Sequence, residues 1–413
     1  MSKSRLAQLG LVMAALGFTA AAPLLGLSSI AHAETLRAEV GNPLQAAQAL
    51  MKAGKNREAL AELKKADNVP GKTPHEAYLI ERVRASAAGA AGDNDTLARS
   101  FETLLASGKL SPSETSQFSA GLVGIYMRAR DYAKANAAIM RMPNHDDPTM
   151  RGYLIQNYFA MGNFPAATKE LQTDLRNAEK SGARPSENQL QMMANLQLKA
   201  NDKPGYVNTI EKLANFYPKP DYWTDLLNRE SGKAGFSERL GIDISRLRLA
   251  NGLFKKSTEY VDLAQMALQA KAPAEALKII DKGYKAGVLG TGTEAARHER
   301  LKALADKNLA EQTKTAAATE AALLKAKDND GLIDLGFGLV QAGQNDKGLQ
   351  IMEAAIKADS LKHPEDAKLR LGHAYAIAGN KTKAVTTLKT VTGADGTADL
   401  ARFWIMAISH NTL

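Results

Sequence analysis

The side chains able to carry chemistry in this chain are few, and their spacing argues against most of what they could do. Beyond the N-terminal segment the histidines are His75, His145, His298, His363, His373 and His410. No two of them stand at the i, i+4 interval by which one helix face offers a pair of imidazoles to zinc. Asn144-His145-Asp146-Asp147-Pro148 is the one run of ligand-type residues. Asn, Asp and Pro are equally the residues of turns and helix N-caps, and calcium asks for more oxygens at alternate positions. The run Gly287-Val288-Leu289-Gly290-Thr291-Gly292 has the glycines of a phosphate loop. It lacks a preceding strand and a closing Lys-Ser/Thr pair, and reads as a turn between helices. No serine sits in a Gly-x-Ser-x-Gly elbow. With no Cys at all, thiol nucleophiles, disulfides, Cys-held zinc or iron–sulfur centres, c-type haem and a lipidated cysteine are excluded. The expectation is a protein with no catalytic residues, no cofactor and no metal, so that an enzyme would have to be assembled from dispersed residues.

Charge narrows the partners. The 53 basic and 44 acidic residues leave a net +9, and Lys64-Lys65 and Lys255-Lys256 are isolated pairs with acids nearby. A nucleic-acid surface would gather its cations into a stripe with stacking aromatics, so no nucleic-acid partner is expected. At the N-terminus, Lys3 and Arg5 precede an apolar run over residues 6–27, followed by Ser28-Ser29-Ile30-Ala31-His32-Ala33 and then Glu34. Cations, an apolar stretch and an Ala-x-Ala site are the parts of a secretory signal, with cleavage expected after Ala33 and a periplasmic destination. No later segment has the length of a membrane span, so no stable span is expected once the signal is removed.

What must position these residues is helix. The chain is 45% hydrophobic but only 6% aromatic, and its apolar residues are dominated by alanine, which favours packed helices over sheets. One pattern recurs: an Ala- and Leu-rich helix, a break at Gly or Asn, a second amphipathic helix, then Pro or Gly. Leu371, Gly372, Tyr375, Gly379, Ala384 and Leu388 form the clearest copy. Leu335, Gly336, Leu339, Gly343, Gly348 and Met352 form another, 36 residues earlier. The small residue of the second helix can be followed through Ala59, Leu97, Ala135, Ala167, Tyr206, Ala276, Gly348 and Ala384, with a mean step of about 36 when the two long gaps count double. A small residue there lets two helices approach where they cross, and Gly54, Gly92, Gly162, Gly343 and Gly379 suit left-handed helix ends. One such hairpin cannot bury both faces, so copies must stack on a shared core.

These residues resemble the tetratricopeptide repeat family over residues 42–391. Leu371, Gly372 and Tyr375 with Ala384 match its signature, and Pro218 falls at its closing proline; the signature Trp is absent, and Leu97 and Tyr206 replace the small residue. The resemblance implies an all-α, right-handed superhelical solenoid of about ten helix-turn-helix repeats with a C-terminal capping helix. It also implies a concave groove lined by the first helices, which receives a protein or peptide partner. Carried over position by position, the groove residues are Gln48, Met51, Gln117, Met127, Gln156, Phe159, Asn188, Gln191, Asn195, Gln265, Phe337 and His373. Amides both donate and accept, while Met and Phe give adaptable apolar contact. The N-terminal half is therefore expected to bind an extended segment with weak salt dependence. The Lys and Asn pattern with which some members clamp a C-terminal carboxylate is not matched.

Residues 170–227, chiefly through Tyr217-Pro218 and Tyr222-Trp223, are similar to exported Gram-negative repeat proteins associated with TonB and ExbB systems. The resulting division is a signal peptide at 1–33, a repeat array at 34–227 and an irregular repeat or hinge at 228–256. A second array at 257–396 and a capping helix at 397–413 follow. The function expected is a noncatalytic periplasmic scaffold or adaptor for an envelope protein, with a part in TonB-dependent transport as its narrowest form. The competing reading is a scaffold for polysaccharide export or for cell-wall and outer-membrane assembly.

Overall fold

The computed structural model describes residues 36–358 and 360–410; the expected signal sequence lies outside the described residues. Among the described residues there are twenty α-helices, one short 3-10 turn and no strand. The architecture is all-α, largely a succession of helix pairs packed on one another in chain order. In chain order there are nine pairs, a single 32-residue helix between the seventh and eighth, and one final helix. The chain divides into two compact units. Unit 1 takes the described residues up to Pro185 with Asn195–Asn201, and unit 2 takes Ser186–Ala194 with the described residues from Asp202 onward.

Unit 1 contains the pairs α1 (Ala38–Lys52) with α2 (Asn56–Asp67), α3 (Pro74–Ala91) with α4 (Asn94–Ala106), α5 (Pro112–Arg128) with α6 (Tyr132–Met140), and α7 (Pro148–Ala160) with α8 (Phe164–Lys180). Their starts follow from local chemistry. Thr73 and Ser111 each accept the N–H of a glutamate three residues on, at 3.1 and 3.2 Å, and Glu76 and Glu114 return the bond to the cap's own N–H. Pro74 and Pro112 then fill the first helical position, where no N–H is needed. The turn inside each pair is tighter: one residue in the left-handed region, then an N-cap. Gly92 precedes Asp93, Arg130 precedes Asp131 and Gly162 precedes Asn163, and each capping side chain accepts a backbone N–H three residues on. Each such cap is worth about 1 kcal/mol.

The spacing followed in the sequence is the packing seam. Ala59, Ala135 and Ala167 are each 0% exposed, as a helix crossing with no room for a larger side chain requires. Leu97, the large residue in this series, is accommodated because α3 presents Ala85 and Ala88 to it within one apolar cluster. The cores of the first and second pairs and of the second to fourth pairs include Ala59, Leu97 and Ala135 together with Leu63, Ile80, Leu104, Leu122 and Ile139.

Helix α9 (Glu187–Lys199) is divided between the units. Unit 2 continues with α10 (Lys203–Phe216), α11 (Pro220–Ser231), the 3-10 turn Glu238–Leu240 and α12 (Gly241–Ala250). The pair α13 (Ser257–Gln269) and α14 (Pro273–Lys285) follows, then the long α15 (Ala295–Ala326). The pairs α16 (Asn329–Gln341) with α17 (Asn345–Lys357) and α18 (Pro364–Ile377) with α19 (Lys381–Leu388) lead to the final α20 (Thr397–Ser409). Helix α15 stands where the spacing between Ala276 and Gly348 leaves room for one further pair. Its 32 residues contain neither Gly nor Pro, so nothing ends it, and it runs about 48 Å at 1.5 Å per residue.

Ala276 and Ala384 again mark the seam at 0% exposure. Helices α16 and α17 cross closely where Gly336 and Gly348 face each other. A Cβ on Gly336 would come within 2.7 Å of the Gly348 carbonyl oxygen, so both positions need glycine. Helix α20 caps the last pair by packing on α18 and α19, and it also packs on α12. Residues 228–256, expected to be irregular, hold that second contact. Arg239 binds Asp366 at 2.7 Å and Asp395 at 2.5 Å. Lys233 reaches Asp399 at 2.6 Å, Arg402 reaches Glu211 at 3.1 Å, and the His410 ring lies 2.8 Å from the Asn215 carbonyl. Arg239 and Arg246 are thus paired with acids of unit 2, while Arg248 donates to the Asn228 amide oxygen.

Candidate functional site

Two surfaces emerge from the positions singled out in the sequence, one in each unit. In unit 1, Gln117 on α5, Gln156 on α7 and Asn195 on α9 are exposed, while Gln48, Met51, Met127 and Phe159 are half-buried. Met51 and Met127 pack against the cores of their own hairpins, and Phe159 meets Phe164 edge to face at 5.6 Å. The polar positions are therefore presented to solvent and the apolar ones spend part of their surface on the fold.

In unit 2, Asn188 and Gln191 are exposed and Gln265 is half-buried. The Gln191 amide donates to the Tyr222 hydroxyl at 2.6 Å. Glu187, which pairs with Lys219 at 2.7 Å and also accepts from the Tyr222 hydroxyl, is held below the usual carboxylate range by those two bonds. Phe337 and His373 behave differently from the rest: both are buried, and the two rings lie 5.6 Å apart. They occupy the centre of a column. The Arg246 guanidinium lies over the Phe337 ring at 4.9 Å, and the Trp404 indole stacks on the His373 imidazole at 4.1 Å. Helices α12, α16, α18 and α20 supply one member each.

Arg246 is fully enclosed, its side chain 3% exposed, between Glu275 at 2.7 Å and Asp243 at 3.1 Å. Burial works against its charge, but the two carboxylates outweigh that and hold the proton more tightly than in water. His373 goes the other way. Burial, then the positive charges of Arg246, Arg370 and Lys278, push its pKa well below the ordinary value, so the ring is neutral near pH 7. Its Nδ1 and the Trp404 Nε1 are buried and without hydrogen-bond partners.

Beside this column is a cavity of about 410 Å³ lined by residues of unit 2, among them Arg246, Glu275, Lys278, Gln341, His373 and Trp404. Phe337 and His373, expected on an open groove, are buried in this column, and Arg246, Lys278 and Trp404 were not among the expected site residues. Their signals were an arginine three residues after Asp243 in one short helix and a tryptophan among the aromatics of the capping helix.

The other ligand-type runs are absorbed by the fold. Asp147 caps α7 by accepting the Thr149 N–H at 2.7 Å, Asp146 pairs with Arg151, and His145 Nδ1 lies 3.0 Å from the Met142 carbonyl. The Gly290 N–H is 3.2 Å from His298 Nδ1, which closes the glycine run against α15. Among the described residues no group of three or more His, Asp or Glu side chains could hold a metal ion, and no helix is long and apolar enough to cross a membrane.

No family model and no curated protein matches the chain. Solved structures with some likeness include the TPR domain of P58(IPK), at 11% identity over 91% of this chain and 99% of that one, with a TM-score of 0.23. A Naa15/Naa10 assembly bound to HypK-THB gives 16% identity over 91% and 73%, with a TM-score of 0.28. Yeast Tom70 gives 12% identity over 90% and 96%, with a TM-score of 0.18.

Proposed function

We propose that this protein is a noncatalytic scaffold or adaptor that binds a protein partner along its first helices. In this reading it is exported through its N-terminal signal and works among envelope proteins in the periplasm of a Gram-negative bacterium, with a part in TonB-dependent transport as the narrowest form. The observation that supports partner binding is the exposure of Gln117 and Gln156 on the first helices α5 and α7, beside half-buried Met127 and Phe159. Side-chain amides pair with the backbone of an extended segment, and the neighbouring thioether and ring give it apolar contact without fixed charge. The export signal rests on the order of cations, apolar run and Ala31-His32-Ala33 in the sequence.

Affinity capture from periplasmic extract with cross-linking, followed by mass spectrometry, tests the adaptor role. Recovery of an envelope protein whose binding weakens when Gln117 and Gln156 are both changed to Glu supports it. Recovery of none above background overturns it. Retitrating the captured partner at low and high salt tests the uncharged surface, for which a steep loss of affinity is the contrary result.

A further inference from the structure

We propose that the cavity of unit 2 binds a small amphipathic anion, a ligand with an alkyl or aryl body and one carboxylate or phosphate head. The inference concerns a second site and does not depend on the partner-binding surface of unit 1.

Size and lining set the class. A volume of about 410 Å³ suits a small molecule rather than a side chain or a folded segment. Leu249, Ile279, Ile377 and Ile408 give the cavity an apolar wall contributed by α12, α14, α18 and α20, to which Trp404 adds an aromatic face. Such a wall matches a hydrocarbon body.

Charge sets the head. Lys278 and Lys282 from α14 and Lys381 from α19 also line the cavity, against one carboxylate, that of Glu275, which Arg246 already engages at 2.7 Å. Among the described residues neither Lys278 nor Lys282 has an ion pair, and the polar contact of the Lys278 ammonium is the Gln341 amide oxygen at 3.4 Å. Burial depresses the pKa of Lys278, a cost that an anion in the cavity would offset. The same lysines repel a cation. Trp404 and His373 enter the lining through their rings, stacked on each other at 4.1 Å.

The test uses the full-length chain and four probes of one body and different heads: decanoate, decyl phosphate, decan-1-ol and decyltrimethylammonium. Calorimetric titration measures affinity and stoichiometry, and tryptophan emission reports on Trp404. The expected result is saturable binding of one equivalent of decanoate or decyl phosphate, with decan-1-ol and the ammonium probe about tenfold weaker or more, one tenfold step being about 1.4 kcal/mol. The tighter of the two anions identifies the head. The double variant Lys278→Gln/Lys282→Gln should lose about tenfold in anion affinity while leaving that of decan-1-ol unchanged. Ile377→Trp, which fills the cavity from a half-buried position, should abolish binding of all four probes while the far-ultraviolet dichroism stays that of the parent. Equal affinity for the anions and the alcohol would overturn the proposal. So would unchanged anion affinity in the lysine double variant, or binding retained in Ile377→Trp.

Discussion

Glu230 offers a sharp test of how α20 is held in unit 2. Its side chain is 4% exposed and lies next to Asp399, with Lys233 and Arg402 as the cations facing the pair. Burial, then the neighbouring Asp399 carboxyl, pushes the Glu230 pKa from 4.5 up to about 7. A carboxyl whose folded pKa is raised contributes its stability below the unfolded pKa, and that contribution is lost as pH rises through the folded value. At about 1.4 kcal/mol per unit, the protein should be less stable at pH 8.5 than at pH 5 by about 2 to 3 kcal/mol from this group alone. Glu230→Gln keeps a donor toward Asp399 and removes the titration. The variant should therefore exceed the parent by about 1 kcal/mol at pH 5 and by about 3 kcal/mol at pH 8.5. Both tryptophans, Trp223 and Trp404, lie in unit 2, so urea unfolding followed by tryptophan emission reports that unit without interference from unit 1. An equal effect of Glu230→Gln at the two pH values would refute the reasoning, because it would mean that Glu230 is ionised when α20 is docked.

Two other changes in unit 2 can be read by the same emission. Arg246→Met strips Asp243 and Glu275 of their shared cation in a buried setting, and should cost about 3 to 5 kcal/mol, with part recovered by adding Glu275→Gln; a loss below 1 kcal/mol would show that the carboxylates find other partners. Gly348→Ala puts a Cβ within 2.7 Å of a Val340 methyl and against the Gly336 carbonyl and should cost about 1 to 3 kcal/mol. Gly241→Ala, whose added Cβ meets nothing within 4 Å, should be neutral or slightly stabilising and serves as its control.

The parts of the fold that were legible in the sequence are those set by local chemistry and nearest-neighbour packing. Ala59, Ala135, Ala167, Ala276 and Ala384 could be followed because each must be small where two successive helices cross, and all five are fully buried. The glycine breaks were legible for a similar reason, although Arg130, Asn201 and Lys271 take the same left-handed conformation at φ near 60° with no glycine to announce it. Helix α15 was hidden because the spacing from Ala276 to Gly348 is about twice the repeat length. The absence of Gly and Pro from Ala295–Ala326 was the available contrary signal. The cavity was not legible. His373 and Phe337 were placed on the groove by their position in the repeat, but Trp404 of α20 stacks on His373, and that packing depends on ion pairs such as Arg239 with Asp395, 156 residues apart. No periodicity encodes a contact of that separation.

The return of α20 also bears on how unit 2 can fold. In an open stack of hairpins every contact is local, so order can spread from any repeat and terminal repeats fray independently. Here Arg402 and Glu211 are 191 residues apart and His410 and Asn215 are 195 apart. Closing a segment of that length instead of one of about 36 residues costs roughly 1.5 kcal/mol more in chain entropy. That cost falls before the closing contacts form, which slows folding and binds the first and last helices of the unit into one cooperative transition. During synthesis, α10 to α12 must wait for about 150 to 190 residues before their partner helix exists, with the surface that α20 will cover still open.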